Sequence, residues 1–326
     1  MIAYILRRCG YAVPILIGIN LLTFWLFFFV NSPDDMARMQ LGTKHVTQEA
    51  VDQWKRERGY DRPLLWNQEQ TGMRRFTDTI FYEKSLRLFV FDFGISDSDN
   101  RDIGYDIRQR MGPSLAIQVP GLLAGLAVDL SLALLVVFFR GTYIDFWAVV
   151  LCVVLISISG LFYIITGQFL AGKLLRWVPI SGFGTGWVNI KFIILPVLIG
   201  VIAGIGSGVR INRTFFLEEM GRDFVRTARA KGLREQQVMI KHVLRNALIP
   251  ILTGVVVVLP SLFLGSLITE SFFGIPGLGS YTINAIGSQD FAIVRAMVFL
   301  GSVLYILGLL LTDISYTLVD PRIRLN

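Results

Sequence analysis

The sequence predicts an all-α membrane protein with about six transmembrane helices. Of its 326 residues, 53% are hydrophobic and only 17% are charged, and the mean hydropathy of +0.59 is far from that of an ordinary soluble domain. Six continuous apolar runs come close to the roughly 20 residues that a helix needs to cross a bilayer. None alternates in polarity as the lipid-facing strands of a barrel do. The runs cover residues 9–30, 115–139, 146–170, 192–209, 248–268 and 294–318, of which the fourth is the shortest.

The first run is interpreted as a retained span, because it is too long for the apolar part of a signal peptide and no small-residue cleavage site follows it. Residues 31–114 then form a large polar segment with thirteen Lys/Arg and fourteen Asp/Glu. The short loops with excess Lys/Arg all fall on one side, which places both termini and residues 210–247 in the cytoplasm and residues 31–114 outside. We therefore expect three parts: residues 1–30, an external segment 31–114, and a core 115–326 that includes the loop 210–247.

The most polar part of the core lies between the fourth and fifth runs, where residues 210–246 carry nine Lys/Arg and four Asp/Glu. Gly232 separates two stretches of helical character, residues 224–231 and 235–248. Glycine adopts the left-handed conformation that ends a helix and permits a sharp turn. The segment is therefore predicted to be a helical elbow at the membrane surface, offered to another protein.

The elbow carries the motif Thr227-Ala228-Arg229-Ala230-Lys231-Gly232, followed by His242, Arg245-Asn246-Ala247 and Pro250. At these residues the chain resembles the permease subunits of ABC importers, in the branch that transports dipeptides, oligopeptides and nickel. Residues 4–8, 91–94, 276–279 and 320–324 also resemble segments of that family. At residues 226–228 this chain has Arg-Thr-Ala where the wider superfamily has Glu-Ala-Ala, so the match is to the branch.

The resemblance implies a type I importer fold and a non-catalytic subunit of an ATP-hydrolysing translocase in the bacterial inner membrane. A second, similar permease would complete the solute path, and cytoplasmic subunits would bind ATP and Mg²⁺, leaving no cofactor in this chain. The external segment would cap the pathway, receive a solute-binding protein or serve as a folded spacer. The residues implied in docking on the ATPase subunits are Arg226, Thr227, Ala228, Arg229, Ala230, Lys231, Gly232, His242, Arg245 and Asn246.

Several residues are candidates for the solute pathway or an external gate. Asp129 lies mid-way along the second run, where a carboxylate is costly, so it either lines the path or fixes helix packing. Pro260 is expected to kink the fifth run, either as a hinge or as a static bend. Apolar and Gly/Pro-bearing backbone follows at the outer end of that run. The full set is Asp129, Pro260, Glu270, Phe272, Phe273, Pro276 and Gly277.

Other classes of protein fit less well. Residues 167–174 nearly spell a phosphate-binding loop, but Leu174 stands where Ser or Thr would hold Mg²⁺. With two histidines far apart, we expect neither a catalytic cluster nor a metal site. The net charge of +7 lies in membrane-flanking loops and does not indicate nucleic acid. Transport of nickel or another solute, or transport driven by an ion gradient, remains the alternative to peptide import.

Overall fold

The computed structural model describes residues 2–42, 46–184 and 186–319. Over these residues the regular structure is helical, and the sole strand-type pairing is an isolated bridge between Ile95 and Asp102. This is the all-α architecture that the composition predicts. The α-helices are α1 (Ile2–Val30), α2 (Pro33–Leu41), α3 (Gln48–Arg58), α4 (Arg74–Thr77), α5 (Ile80–Lys84), α6 (Ile103–Phe138), α7 (Tyr143–Ser157), α8 (Gly160–Gly167), α9 (Asn189–Met220), α10 (Asp223–Ala230), α11 (Glu235–Val238), α12 (Arg245–Val258), α13 (Leu267–Phe273), α14 (Leu278–Gly287) and α15 (Phe291–Val319).

Five helical segments in the described chain are long and apolar enough to cross a membrane, namely Gly10–Val30, Ile103–Phe138, Asn189–Met220, Glu235–Leu264 and Phe291–Ser315. They coincide with five of the six predicted runs. Three of them extend well past the predicted bounds, because polar residues at a helix end lower the hydropathy without breaking the helix. Large apolar side chains stand exposed on these helices, as Phe29 does at 73% of its surface, as expected of faces that contact lipid. The chain is therefore a multi-pass membrane protein.

The third run, predicted as one helix over residues 146–170, is broken. Helix α7 and the segment Gly160–Leu174, which is α8 followed by a π-helical turn, meet at an angle of 88°. Ile158 and Ser159 adopt extended backbone at the break. The hydroxyl of Tyr163 donates to the carbonyl of Leu155 at 2.9 Å, which also accepts the N–H of Ile158 at 3.4 Å, so this carbonyl is satisfied at the helix end. Hydropathy does not register this break because both arms are equally apolar.

The described chain divides into two compact units, and the first comprises residues 2–112 and 278–310. Its main core joins α1 to the polar segment that follows. Phe24 and Phe28 of α1 pack with Met36 of α2, with Trp54 of α3 and with Tyr60. The polar segment is thus folded onto the first span. The three-part functional division made from the sequence remains a prediction.

The second unit comprises residues 113–277 and 311–319. Helices α7 and α9 approach each other closely at Gly206. A Cβ atom built there would lie 2.7 Å from the carbonyl oxygen of Cys152 and 3.2 Å from the backbone nitrogen of Ile156. Glycine is therefore the residue that this contact accommodates.

The predicted kink at Pro260 takes a different form. Helix α12 ends at Val258, and Pro260 lies in the first turn of a 3₁₀ helix, Leu259–Leu264. The 3₁₀ helix follows α12 without a break, since the N–H of Leu259 still donates to the carbonyls of Val255 and Val256. Proline has no N–H and cannot continue this series of bonds. Gly265, with φ of +70°, then ends the span. The proline therefore marks a change of helix type.

Candidate functional site

The elbow predicted around Gly232 is present as helix, tight turn and helix. Gly232 has φ of +77°, which confirms the left-handed turn. Its N–H donates to the carbonyl of Arg229 at 2.9 Å, and the N–H of Leu233 donates to that of Ala228 at 3.3 Å. This pair of bonds is the Schellman arrangement that closes a helix C-terminus. The turn between α10 and α11 is thus fixed by its own backbone.

Helix α10 is firmly attached to the second unit through its apolar face. Val225 and Ala228 are 0% and 4% exposed and belong to a core with Phe216 of α9, Val238 of α11 and Ala247 of α12. Ala228, a member of the predicted docking set, therefore packs its side chain inward, and its part in docking stays a prediction. A helix with period 3.6 turns residues 225 and 228 to the same side, which the sequence motif does not reveal.

The opposite face of α10 is exposed and basic. Arg226 exposes 77% of its side chain, and its ion-pair contact is with Asp223, at 3.6 Å. Thr227, Ala230 and Lys231 are also exposed. Other exposed members of the predicted docking set are Arg229, Gly232 and Arg245.

Arg229 has a different role within the elbow. Its Nη2 atom lies 2.6 Å from Oε1 of Glu235, and its Nε lies 3.1 Å from Oε2. This paired contact raises the pKa of Arg229 above its ordinary value. The ion pair spans the turn, so Arg229 braces α10 against α11.

The second arm passes through a π-helical segment, Met239–Leu244, before α12 begins. His242 is half-buried in this segment. The side-chain amide of Asn246 donates to the carbonyl of His242 at 2.7 Å, so Asn246 stabilises the junction between π and α geometry. Arg245 beside it is exposed.

An ion pair that the sequence analysis did not identify holds α7 to α9. The guanidinium of Arg213 makes three bonds of 2.8–3.1 Å to the carboxylate of Asp145, whose other contact is the N–H of Gly141 at 3.2 Å. Their side chains expose 25% and 13%. A two-pronged Arg–carboxylate pair that is partly shielded from water positions its elements strongly. It connects the turn before α7 to the part of α9 that leads into the elbow.

Glu270, a predicted gate residue, is buried in a hairpin. It is 1% exposed, and its Oε1 accepts bonds from Ser114 Oγ at 2.8 Å and from the N–H of Ser266 at 3.2 Å. Gly265 and Gly277 lie against the carboxylate, and a Cβ on either would overlap it. The glycines therefore make room for the acid.

Phe272, Phe273 and Pro276 of the predicted gate lie in the same hairpin as Glu270. Phe273 is 1% exposed, whereas Phe272 is 43% exposed. The carbonyl of Phe273 accepts the N–H of Gly182 at 2.7 Å, and that of Phe272 accepts the side-chain amide of Gln168 at 2.9 Å. Pro276 is exposed. The hairpin is thus tied to the neighbouring segment through its own backbone carbonyls.

Asp129 lies far from the Glu270 hairpin. It is half-buried on α6, its carboxylate abuts Gly208 of α9, and its Oδ1 has no hydrogen-bond partner among the described residues. Fifteen residues of α6 separate it from Ser114, which contacts Glu270. At the rise of an α-helix this is about 22 Å. The predicted pathway residues therefore occupy two places.

Together these features define a multi-pass helical membrane protein with a polar elbow packed onto its spans. Residues 114–325 match the family described as "Binding-protein-dependent transport system inner membrane component", and residues 1–111 match the corresponding N-terminal family. The chain belongs to this family and is a permease subunit of an ABC importer.

Relatives match it along nearly the whole length. It is 29% identical to the dipeptide transport system permease protein DppB of Escherichia coli (strain K12), covering 99% of both chains. It is 28% identical to DppB of Bacillus subtilis (strain 168), covering 100% of this chain and 99% of the relative. A protein of Brucella abortus (strain 2308), described as a peptide transport system permease, is 29% identical with 99% coverage of both.

Proposed function

We propose that this chain imports di- or oligopeptides across the bacterial inner membrane as one of two homologous permeases that together form the path. Its termini and elbow face the cytoplasm, where ATPase subunits bind ATP and Mg²⁺, and the chain itself contributes no catalytic residue. Residues 31–114 receive an extracytoplasmic solute-binding protein. The peptide substrate is supported by the names of relatives aligned over 99% or more of this chain.

The observation that carries the coupling role is the division of α10 into two faces. Its inner face, with Val225 and Ala228, is fixed in the core that includes α9 and α12. Its outer face presents Arg226 and Lys231 to the surroundings. A displacement of α10 by a bound partner would therefore be transmitted to spanning helices. ATP binding to that partner biases transport only if it favours one arrangement of these helices over the other.

The docking proposal is tested by reversing a charge on the outer face. We expect Arg226→Glu to weaken co-purification of the ATPase subunits by at least about tenfold, because like charges opposed across an interface cost several kcal/mol. Solute-stimulated ATP hydrolysis should fall with it. Arg226 is 77% exposed, so thermal stability should not change.

The matched control is Lys191→Glu, which makes the same reversal at an exposed position in the first turn of α9, the helix end farthest from the elbow. It should leave ATPase binding unchanged. If both variants bind like the wild type, or both lose binding equally, the outer face of α10 is not the docking surface.

The substrate is tested by uptake in proteoliposomes that hold the complete complex. Labelled dipeptide should enter with ATP and solute-binding protein present, and unlabelled peptide should compete whereas nickel should not. Uptake that follows an imposed ion gradient without ATP would instead establish the ion-driven alternative.

A further inference from the structure

A cavity of about 330 Å³ lies within the first unit and is lined by residues of that unit alone. It is bordered by the end of α3, by α5 and the turn after it, and by the first turn of α15. This volume is at the lower end of the range for small-molecule sites. Its lining includes six cations, Arg56, Arg58, Arg62, Lys84, Arg87 and Arg295, and three acids, Glu57, Glu83 and Asp92.

Each of the three acids contacts one of the cations. Glu57 lies 3.6 Å from Arg58, and Asp92 lies 3.4 Å from Arg87. Glu83 is paired with Arg62, which also contacts Asp78 at 3.2 Å. Among the described residues, the lining cations that make no ion-pair contact are Arg56, Lys84 and Arg295.

Arg295 is the most deeply buried of these three cations. It is only 4% exposed, and its Nη1 has no hydrogen-bond partner among the described residues. Its Nη2 donates to the hydroxyl of Tyr60 at 3.2 Å, and its Nε donates to the carbonyl of Phe291 at 3.2 Å. The guanidinium also stands 4.8 Å from the centre of the Phe28 ring, and the Tyr60 hydroxyl links it to the carboxylate of Asp97. A buried guanidinium that keeps one N–H unpaired is costly, and an anion at Nη1 would satisfy it.

Lys84 borders the same cavity and forms no ion pair or hydrogen bond with the described part of the chain. Its ammonium stands 4.9 Å from the centre of the Tyr60 ring. Burial, together with the nearby charge of Arg295, lowers its pKa. Asp97 is a buried acid whose charge acts on both Lys84 and Arg295, so one carboxylate serves two cations. It accepts hydrogen bonds from the Tyr60 hydroxyl at 2.9 Å and from the N–H of Ala292 at 3.0 Å.

A bound water explains the unpaired groups around this cavity less well than a bound anion does. A second void of about 10 Å³ lies between Asn20 and Arg295, and the Oδ1 of Asn20 also lacks a partner among the described residues. One water there would meet both polar groups. It would not neutralise the charge of Arg295 or that of Lys84.

We propose that this cavity binds a phosphate or carboxylate group, carried either by a soluble acid or by the head group of an anionic lipid, and held by Lys84, Arg295 and Arg56. Guanidinium and ammonium groups around a shielded space recognise such oxyanions through charge-assisted hydrogen bonds. The site would stabilise the packing of α3 and α5 on the start of α15. It does not depend on the peptide substrate or on ATPase docking.

The test uses the purified full chain, with any co-purifying subunits, in phosphatidylcholine nanodiscs. Sodium phosphate and sodium succinate are titrated at constant ionic strength against chloride, with binding followed by calorimetry and thermal stability. A parallel preparation in nanodiscs that contain phosphatidylglycerol is examined by native mass spectrometry for retained lipid. Saturable binding of a soluble anion identifies a soluble acid as the source, and selective retention of phosphatidylglycerol identifies a head group.

Variants decide whether the binding belongs to this cavity. Lys84→Gln should weaken it about tenfold or more, the effect of losing one hydrogen bond to a charged group, and Arg56→Gln, at an exposed position, should weaken it less. Arg101→Gln is the control, since Arg101 is 67% exposed, contacts Asp99 and lies outside the cavity. The proposal is overturned if neither phosphate, succinate nor phosphatidylglycerol binds more tightly than chloride. It is also overturned if the Lys84→Gln variant binds the anion as tightly as the Arg101→Gln variant does.

Discussion

The contact between α7 and α9 at Gly206 yields a quantitative prediction. In Gly206→Ala the new methyl group would lie 2.7 Å from the carbonyl oxygen of Cys152 and 3.2 Å from the nitrogen of Ile156. Both are backbone atoms, so the overlap is relieved only if one helix moves. Overpacking of this kind typically costs about 1–3 kcal/mol.

The matched comparison is Gly204→Ala, one half-turn earlier in the same helix, where an added Cβ meets nothing within 4 Å. Both variants gain about 1 kcal/mol of helix propensity, because alanine is favoured over glycine in a helix interior. That gain cancels in the difference between them. We therefore expect Gly206→Ala to be less stable than Gly204→Ala by about 1–3 kcal/mol.

The assay is equilibrium unfolding in mixed detergent micelles, followed by helical circular dichroism, with ATP-dependent uptake measured in parallel. Gly206→Ala should also reduce uptake, since α9 leads directly into the elbow. Equal unfolding free energies for the two alanine variants would refute the close approach of α7 and α9.

Three further predictions concern the elbow, the ion pair and a buried acid. Gly232→Ala, at φ of +77°, should cost about 1–2 kcal/mol of strain and should reduce the coupling of ATP hydrolysis to uptake. Asp145→Asn should lower the free energy of unfolding by about 1–3 kcal/mol, because Arg213 loses its carboxylate. Burial opposes ionisation of Asp290, but hydrogen bonds led by that from Ser96 outweigh it and hold its pKa below 3.8. This stabilisation is present above pH 3.8 and is lost as the pH falls through the lowered pKa. Ser96→Ala should therefore lower the free energy of unfolding at pH 7 by about 1–2 kcal/mol. In acid, the free energies of unfolding of the variant and the wild type should converge.

Each of these has an internal control. Gly254→Ala lies in α12 at an uncrowded position without positive φ and should preserve coupling. Arg213→Lys keeps the charge but loses the two-pronged geometry, so its stability should fall between those of wild type and Asp145→Asn. Ser302→Ala removes a hydroxyl bonded only to the carbonyl of Val298 and should give a pH-independent effect. A variant indistinguishable from its control would contradict the corresponding contact.

Features set by local chemistry were predictable from the sequence. Hydropathy located five spans, and the conformational freedom of glycine located the turn at Gly232. Both depend on residues close together in the chain. The break at Ile158 was missed because it changes backbone direction without changing hydropathy.

Features set by long-range pairing were not predictable from one sequence. Arg213 and Asp145 are 68 residues apart, and Ser114 and Glu270 are 156 apart. No local pattern states which cation meets which acid. The inward face of Ala228 was missed for a related reason, because a motif records which residues occur but not which side of the helix the core covers. The docking and pathway roles themselves remain predictions.

The π-helical turn at Met239–Leu244 has a consequence for how the chain tolerates a change of length. The buried residues Val238 and Val243 are five positions apart across it, whereas Val243, Ala247 and Ile251 follow at intervals of four. A π turn accommodates one extra residue and keeps the same sides of the helix facing inward. Deleting one residue within it would restore α geometry without rotating the flanking helices, whereas the same deletion in α12 would turn every later side chain by about 100°.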